Sequence, residues 1–148
     1  MKTRMLVPAL LAAVMAISAT LSVWAFPVCA AGLPSLEERI TAADLHWSRR
    51  SQAGVTEALL QNLEDADRDY PNQGEVLWRL SRAYWWKSTR IAKDDKKTRI
   101  EWLDKAKATG ERAAKAAPAN PNAHYRYAAA MAETGVARGI LQSLFMVK

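Results

Sequence analysis

One cysteine, two histidines and no sustained apolar–polar alternation are what this chain offers where many enzymes are rich. A lone Cys29 cannot form an intramolecular disulfide or a multi-cysteine zinc site. His46 and His124 are far apart in sequence, and neither has the spacing to other ligands that a metal site needs. No glycine-rich phosphate loop occurs. Without period-two alternation, no segment reads as a strand. The 148 residues limit the chain to one domain. An apolar share of 50% excludes disorder. Lys and Arg number 21 against 15 Asp and Glu, a mild formal excess of +6.

What is present begins with an address. Lys2 and Arg4 precede an uncharged run from Met5 to Trp24, and the segment closes on small residues around Cys29, Ala30 and Ala31. This is the layout of a secretory signal peptide over residues 1–31. Cleavage after Ala30 places Val28 and Ala30 at the recognition positions; cleavage after Ala31 places Cys29 and Ala31 there. The rival is an uncleaved anchor, because about 20 apolar residues span a bilayer. Lipidation of Cys29 is disfavoured by Val28 and Phe26, where a lipobox wants a small residue and Leu. The expected location is therefore exported, periplasmic or secreted, and the processed chain has no cysteine.

Residues 32–148 read as helices in pairs. Ser35 with Glu38 three residues later is a capping box. Leu36, Ile40, Ala43 and Trp47 then recur at helical spacing, predicting a helix to about Arg50. After Gly54, Ala58, Leu59, Leu63 and Ala66 continue to Tyr70-Pro71. Asn72 is a candidate cap for a third helix carrying Leu77, Leu80 and Tyr84. A polar stretch over 87–99 follows, with Asp94 the expected cap of the helix beyond it. Ile100, Leu103, Ala106 and Ala113 form the fourth stripe, which Pro118 ends. Asn120-Pro121 opens a fifth helix to about Glu133, with Gly135 as its stop. A sixth starts near Val136 and carries Ile140, Leu144 and Phe145.

Pro71 and Pro118 stand in register, offset by 47 residues, and Leu77-Trp78-Arg79-Leu80-Ser81 then faces His124-Tyr125-Arg126-Tyr127-Ala128. A tetratricopeptide (TPR) unit is about 34 residues, so an insertion of about 13 over 87–99 restores the arithmetic. Leu77, Leu80 and Tyr84 in large slots and Ser81, Ala106 and Ala113 in small ones resemble the TPR family. Gly110 departs from it where an aromatic is usual, and His124 takes a packing slot. The run from Leu77 to Tyr84, the basic insertion and Asn122–Ala128 are similar to the TPR domain of the regulator of microtubule dynamics group. The T-component of periplasmic TRAP transporters is similar in the same region. The resemblance implies an all-α fold, antiparallel helix pairs stacked as a right-handed solenoid of about six helices. An export signal suits an exported bacterial member better than a microtubule-binding one. The last stripe, Leu141, Leu144 and Phe145, ends without a closing Pro, so the chain is expected to be a fragment or to pair that face with another chain.

No catalytic constellation appears. Glu37-Glu38 and Asp94-Asp95 are adjacent and diverge on a helix, and each His reads as structural. The expectation is a non-enzymatic module with no cofactor and no metal. The TPR resemblance implies a concave groove lined by Glu75, Trp78, Arg82 and Trp85 of one helix and Asn122 and Tyr125 of the next. Trp and Arg are the residue types that anchor partners, so a protein or peptide is the expected ligand. The alternative is a small-ligand helper of an uptake system, with Trp78, Trp85 and Tyr125 around an apolar pocket. Lys87, Arg90, Lys93, Lys96, Lys97 and Arg99 read first as a solvated loop and helix start, and second as a contact for an anionic partner. No nucleic-acid motif is present.

Overall fold

The computed structural model describes residues 32–139. Five helices and no strand occur among them: α1 (Leu36–Ser48), α2 (Val55–Asp69), α3 (Gly74–Thr89), α4 (Lys96–Ala116) and α5 (Pro121–Arg138). The export segment, residues 1–31, lies outside the described residues, as do Ile140, Leu144 and Phe145 of the expected sixth helix.

Local chemistry sets most of the helix ends. Ser35 accepts from the Glu38 N–H at 3.3 Å while Glu38 accepts from the Ser35 N–H at 2.7 Å, the expected reciprocal cap. These bonds hold the Glu38 carboxyl below its ordinary pKa. Gly54 precedes α2 at φ 76°, a left-handed turn that a Cβ would strain. Tyr70 closes α2 and its hydroxyl donates to the Pro34 carbonyl at 2.9 Å, tying the second helix's end to the first one's start. Asn120 accepts from the Asn122 N–H at 2.9 Å, and Pro121 takes the first helical position.

Three expected helix ends need correction. Asn72 does not cap α3; it adopts φ 61°, and Gln73 is the cap residue without a side-chain bond. Asp95, not Asp94, caps α4, accepting from the Thr98 N–H at 3.1 Å. The polar stretch over 87–99 is loop and helix start, as expected, together with the end of α3. Lys87–Thr89 finish α3 and Lys96–Arg99 open α4, leaving six residues, 90–95, between the two. Gly135 does not end α5. It is buried within the helix, which continues to Arg138 and stops at Gly139, φ 106°. Val136 therefore belongs to α5.

Successive helices pack on one another, and the alternate helices α1, α3 and α5 also touch. Leu59, Leu60, Leu63 and Ala66 of α2 join Ala43 of α1 and Val76, Leu80 and Ala83 of α3 in the larger core. Leu36, Ile40, Trp47, Tyr84 and Trp102 pack around it. Leu77 and Trp78 meet Ala113 and Ala123 in a second cluster. Small residues let backbones approach here. Ser81 donates to the Ala106 carbonyl at 2.7 Å. A Cβ on Gly110 would stand 2.9 Å from Tyr127 Cα, so α5's backbone fills the space an aromatic would need. His124 does not take a packing slot. It is exposed, with Nε2 2.8 Å from the Pro118 carbonyl. Arg112 and Asp67 join α4 to α2 through two 2.8 Å bonds.

Candidate functional site

The residues expected to line a groove lie on α3 and α5, and the contacts of α1, α3 and α5 bring further groups beside them. Arg79 is the hub. Its Nε and Nη2 donate to both oxygens of Asp44 on α1, at 3.0 and 2.8 Å. Its Nη1 donates to the Glu75 carboxylate at 2.6 Å and carbonyl at 2.9 Å, one turn back. Such forked charge-assisted bonds fix geometry as well as charge. The Arg79 bonds hold the Asp44 carboxyl below its ordinary range. Burial disfavours charge on Glu75 and on Arg79 alike, yet their bonds outweigh it, lowering the acid and raising the base. Glu75 also accepts from Trp78 Nε1 at 3.0 Å and from Asn120 Nδ2 at 2.7 Å, linking α3 to the start of α5.

Around this hub, guanidinium groups stack on indoles. Arg82 lies 3.9 Å from the Trp47 ring centroid and 4.9 Å from that of Trp78. Arg79 covers Trp78 at 4.2 Å. Arg50 sits against Trp47 and Trp86 at 4.3 and 4.9 Å, and those two rings meet edge-on at 6.1 Å. Arg126 lies 5.0 Å from the Tyr125 ring. Stacked this way, an arginine keeps a planar, fixed fork of donors.

The expected residues separate into different roles. Glu75, Trp78 and Arg82 are contiguous. Trp78, however, is only 8% exposed, so its ring is core rather than open groove; Ala113 and Ala123 leave the room that receives it. Arg82 is largely covered by the two indoles. Trp85 is half-buried. Asn122 is exposed. Tyr125 is 61% exposed, the large aromatic of this set that is open to solvent. Trp78, Trp85 and Tyr125 thus differ in exposure: buried, half-buried and open. Asp44, Trp47, Arg79 and Arg126 were not singled out by sequence. Arg79 and Arg126 did carry a signal: they are 47 apart, the same offset as Pro71 and Pro118.

The basic stretch is partly spent inside the fold. Lys87 pairs with Glu57 at 2.5 Å, Arg99 with Glu133 at 3.5 Å, and Arg90 lies 5.4 Å from the Trp86 ring. Lys93, Lys96 and Lys97 are exposed. Among the described residues there is no group of His, Cys, Asp and Glu that could hold a metal ion. No described helix is long and apolar enough to cross a membrane.

These features define an all-helical domain whose alternate helices share a face of aromatic and guanidinium groups. The family model for regulator of microtubule dynamics protein 1-3 matches residues 40–144, and the chain belongs to that family. No curated protein and no solved structure matches.

Proposed function

We propose that this is an exported, non-enzymatic interaction module whose helices stack as a TPR-like right-handed solenoid. A protein or peptide partner binds along the face shared by α1, α3 and α5. The observation that carries this reading is the continuous row across those helices: Trp47 and Asp44 on α1 with Arg50 just past its end, Arg79 and Arg82 on α3, Tyr125 and Arg126 on α5. Aromatic and Arg side chains give large contact area and directional bonds at low entropic cost. The row is dominated by guanidinium groups and its innermost indole is buried, which favours a polar peptide over a small apolar ligand. Exposed Lys93, Lys96 and Lys97 would add a peripheral anionic contact. The family name speaks of microtubules; the export signal read in residues 1–31 directs this member outside the cytoplasm.

The test is site-specific photocrosslinking in the source cell, with the reactive group at Tyr125 or, as control, at exposed Ala108 on α4. The reading expects a discrete adduct from the first site and none from the second. The captured protein, once purified, should bind Tyr125→Ala about tenfold or more weakly, as for an exposed aromatic anchor. Equal labelling at both sites together with unchanged affinity would sink the proposal.

A further inference from the structure

Arg79 and Arg126 hold the same place in successive repeats, but they meet opposite surroundings. Arg79 reaches back to the preceding alternate helix and finds the Asp44 carboxylate. Arg126 is near Arg82 instead, a second cation. Among the described residues the only acid Arg82 touches is Asp44, at a long 3.4 Å, and Arg79 already occupies both oxygens of that group. Among the described residues Arg126 has no acid partner at all. The Nε atoms of both arginines are buried and have no acceptor among the described residues. Burial and the Arg126 charge pull the Arg82 pKa down to about 10, and burial lowers that of Arg126. Two covered guanidinium groups with unfilled donors are costly unless an anion lies between them. Trp47 and Trp78 nonetheless hold Arg82 flat, with its fork fixed before any ligand arrives.

We propose that Arg82 and Arg126 form a carboxylate-binding subsite of the groove, filled by an acidic side chain of the bound peptide. The inference rests on the peptide-groove reading and deepens it. The chain supplies its own precedent: one repeat earlier, the side-chain carboxylate of Asp44 sits between Arg79 and Arg82. The neighbouring repeat offers the same kind of forked donors and leaves the acid to the partner. Tyr125, exposed beside Arg126, would flank the entering segment.

The experiment uses the purified full chain and three probes: an end-capped, fluorescein-labelled decapeptide of alternating Glu and Ala, its Gln counterpart, and phosphatidylglycerol vesicles. The Glu peptide should bind at least about tenfold tighter than the Gln peptide, the usual worth of a charge-assisted bond. Arg82→Gln and Arg126→Gln should each weaken the Glu peptide by about tenfold, while Lys107→Gln and Lys115→Gln on α4, which remove equal charge outside the proposed face, change it less than about threefold. The Arg Nε–H resonances assigned to residues 82 and 126 should shift on titration. Circular dichroism checks each variant's fold. If Arg82→Gln unfolds, Arg126→Gln and the wild-type resonance shifts decide the matter. Equal losses in the Arg and Lys variants, equal binding of the Glu and Gln peptides, or an Arg-dependent loss confined to vesicles would each overturn the subsite. With the crosslinked partner, a loss from Tyr125→Ala but not from Arg82→Gln would retain the groove and remove the subsite. No loss from either variant would remove both.

Discussion

Trp78 and Tyr125 are each the fifth residue of their helices, α3 and α5, yet one is 8% and the other 61% exposed. The difference lies in what covers them. Ala113 and Ala123 are small enough to let the Trp78 ring pack between helices, whereas no helix follows α5 among the described residues to cover Tyr125. Trp78→Ala should therefore destabilise the fold by about 3–5 kcal/mol, the usual cost of emptying a Trp-sized site. Tyr125→Ala should stay within about 0.5 kcal/mol, as surface changes do. Urea unfolding of the two variants measures both. Asp44 allows a pH prediction. Its folded pKa is depressed by the Arg79 bonds, so its contribution is present above the ordinary carboxylate pKa and is lost as pH falls through the folded value. Asp44→Asn should cost about 1 kcal/mol at pH 7, since the carboxylate is half exposed and screened. Below about pH 4 the gap to wild type should close, because the protonated Asp44 no longer pairs with Arg79. Thermal melts at several pH values check it; a gap that persists at acid pH would contradict the ion-pair account.

At the scale of helices, two substitutions separate the observed architecture from the simpler repeat arithmetic. Residues 87–89 finish α3 and 96–99 open α4, whose start depends on Asp95. Asp95→Ala should cost about 1 kcal/mol, a lost helix cap. Asp94→Ala should change stability little. Equal effects of the two in chemical denaturation would return the cap to Asp94. Gly110 is the second case. Alanine there gains up to about 1 kcal/mol in helix propensity. Its Cβ, however, would press on Tyr127 Cα at 2.9 Å and on Ser81 Oγ at 3.1 Å. Overpacking of that kind costs about 1–3 kcal/mol. Because backbone must move, the net result should be a lower thermal midpoint. A Gly110→Ala variant more stable than wild type would mean that α4 and α5 separate more easily than their packing implies.

For the molecule as a whole, the export reading makes its own prediction. Mass spectrometry of the protein recovered from outside the cytoplasm should show a chain beginning at Ala31 or Gly32. An intact start at Met1 would point to an anchor, and a diacylated Cys29 to a lipoprotein. The helical class, the capping box at Ser35, the Asn120-Pro121 start of α5 and the small slots at Ser81, Ala106 and Ala113 were all legible in the residues. Each depends on neighbours a few positions away, or on a period that a helix makes visible. The choice between Asp94 and Asp95, and the passage of α5 through Gly135, were not legible, because adjacent residues offer the same local chemistry and only packing selects between them. The candidate site was legible only in part. Trp and Arg at helical spacing marked a face of α3, but spacing cannot tell a buried ring from an open one. It also cannot show that Arg79 finds Asp44 on α1 while Arg126, its counterpart, finds Arg82. Local order follows from short-range sterics and hydrogen bonding, which the sequence carries within a few residues. The balance of charge at the site depends on side chains 35 to 47 positions apart, and only the stacking of the helices brings those together.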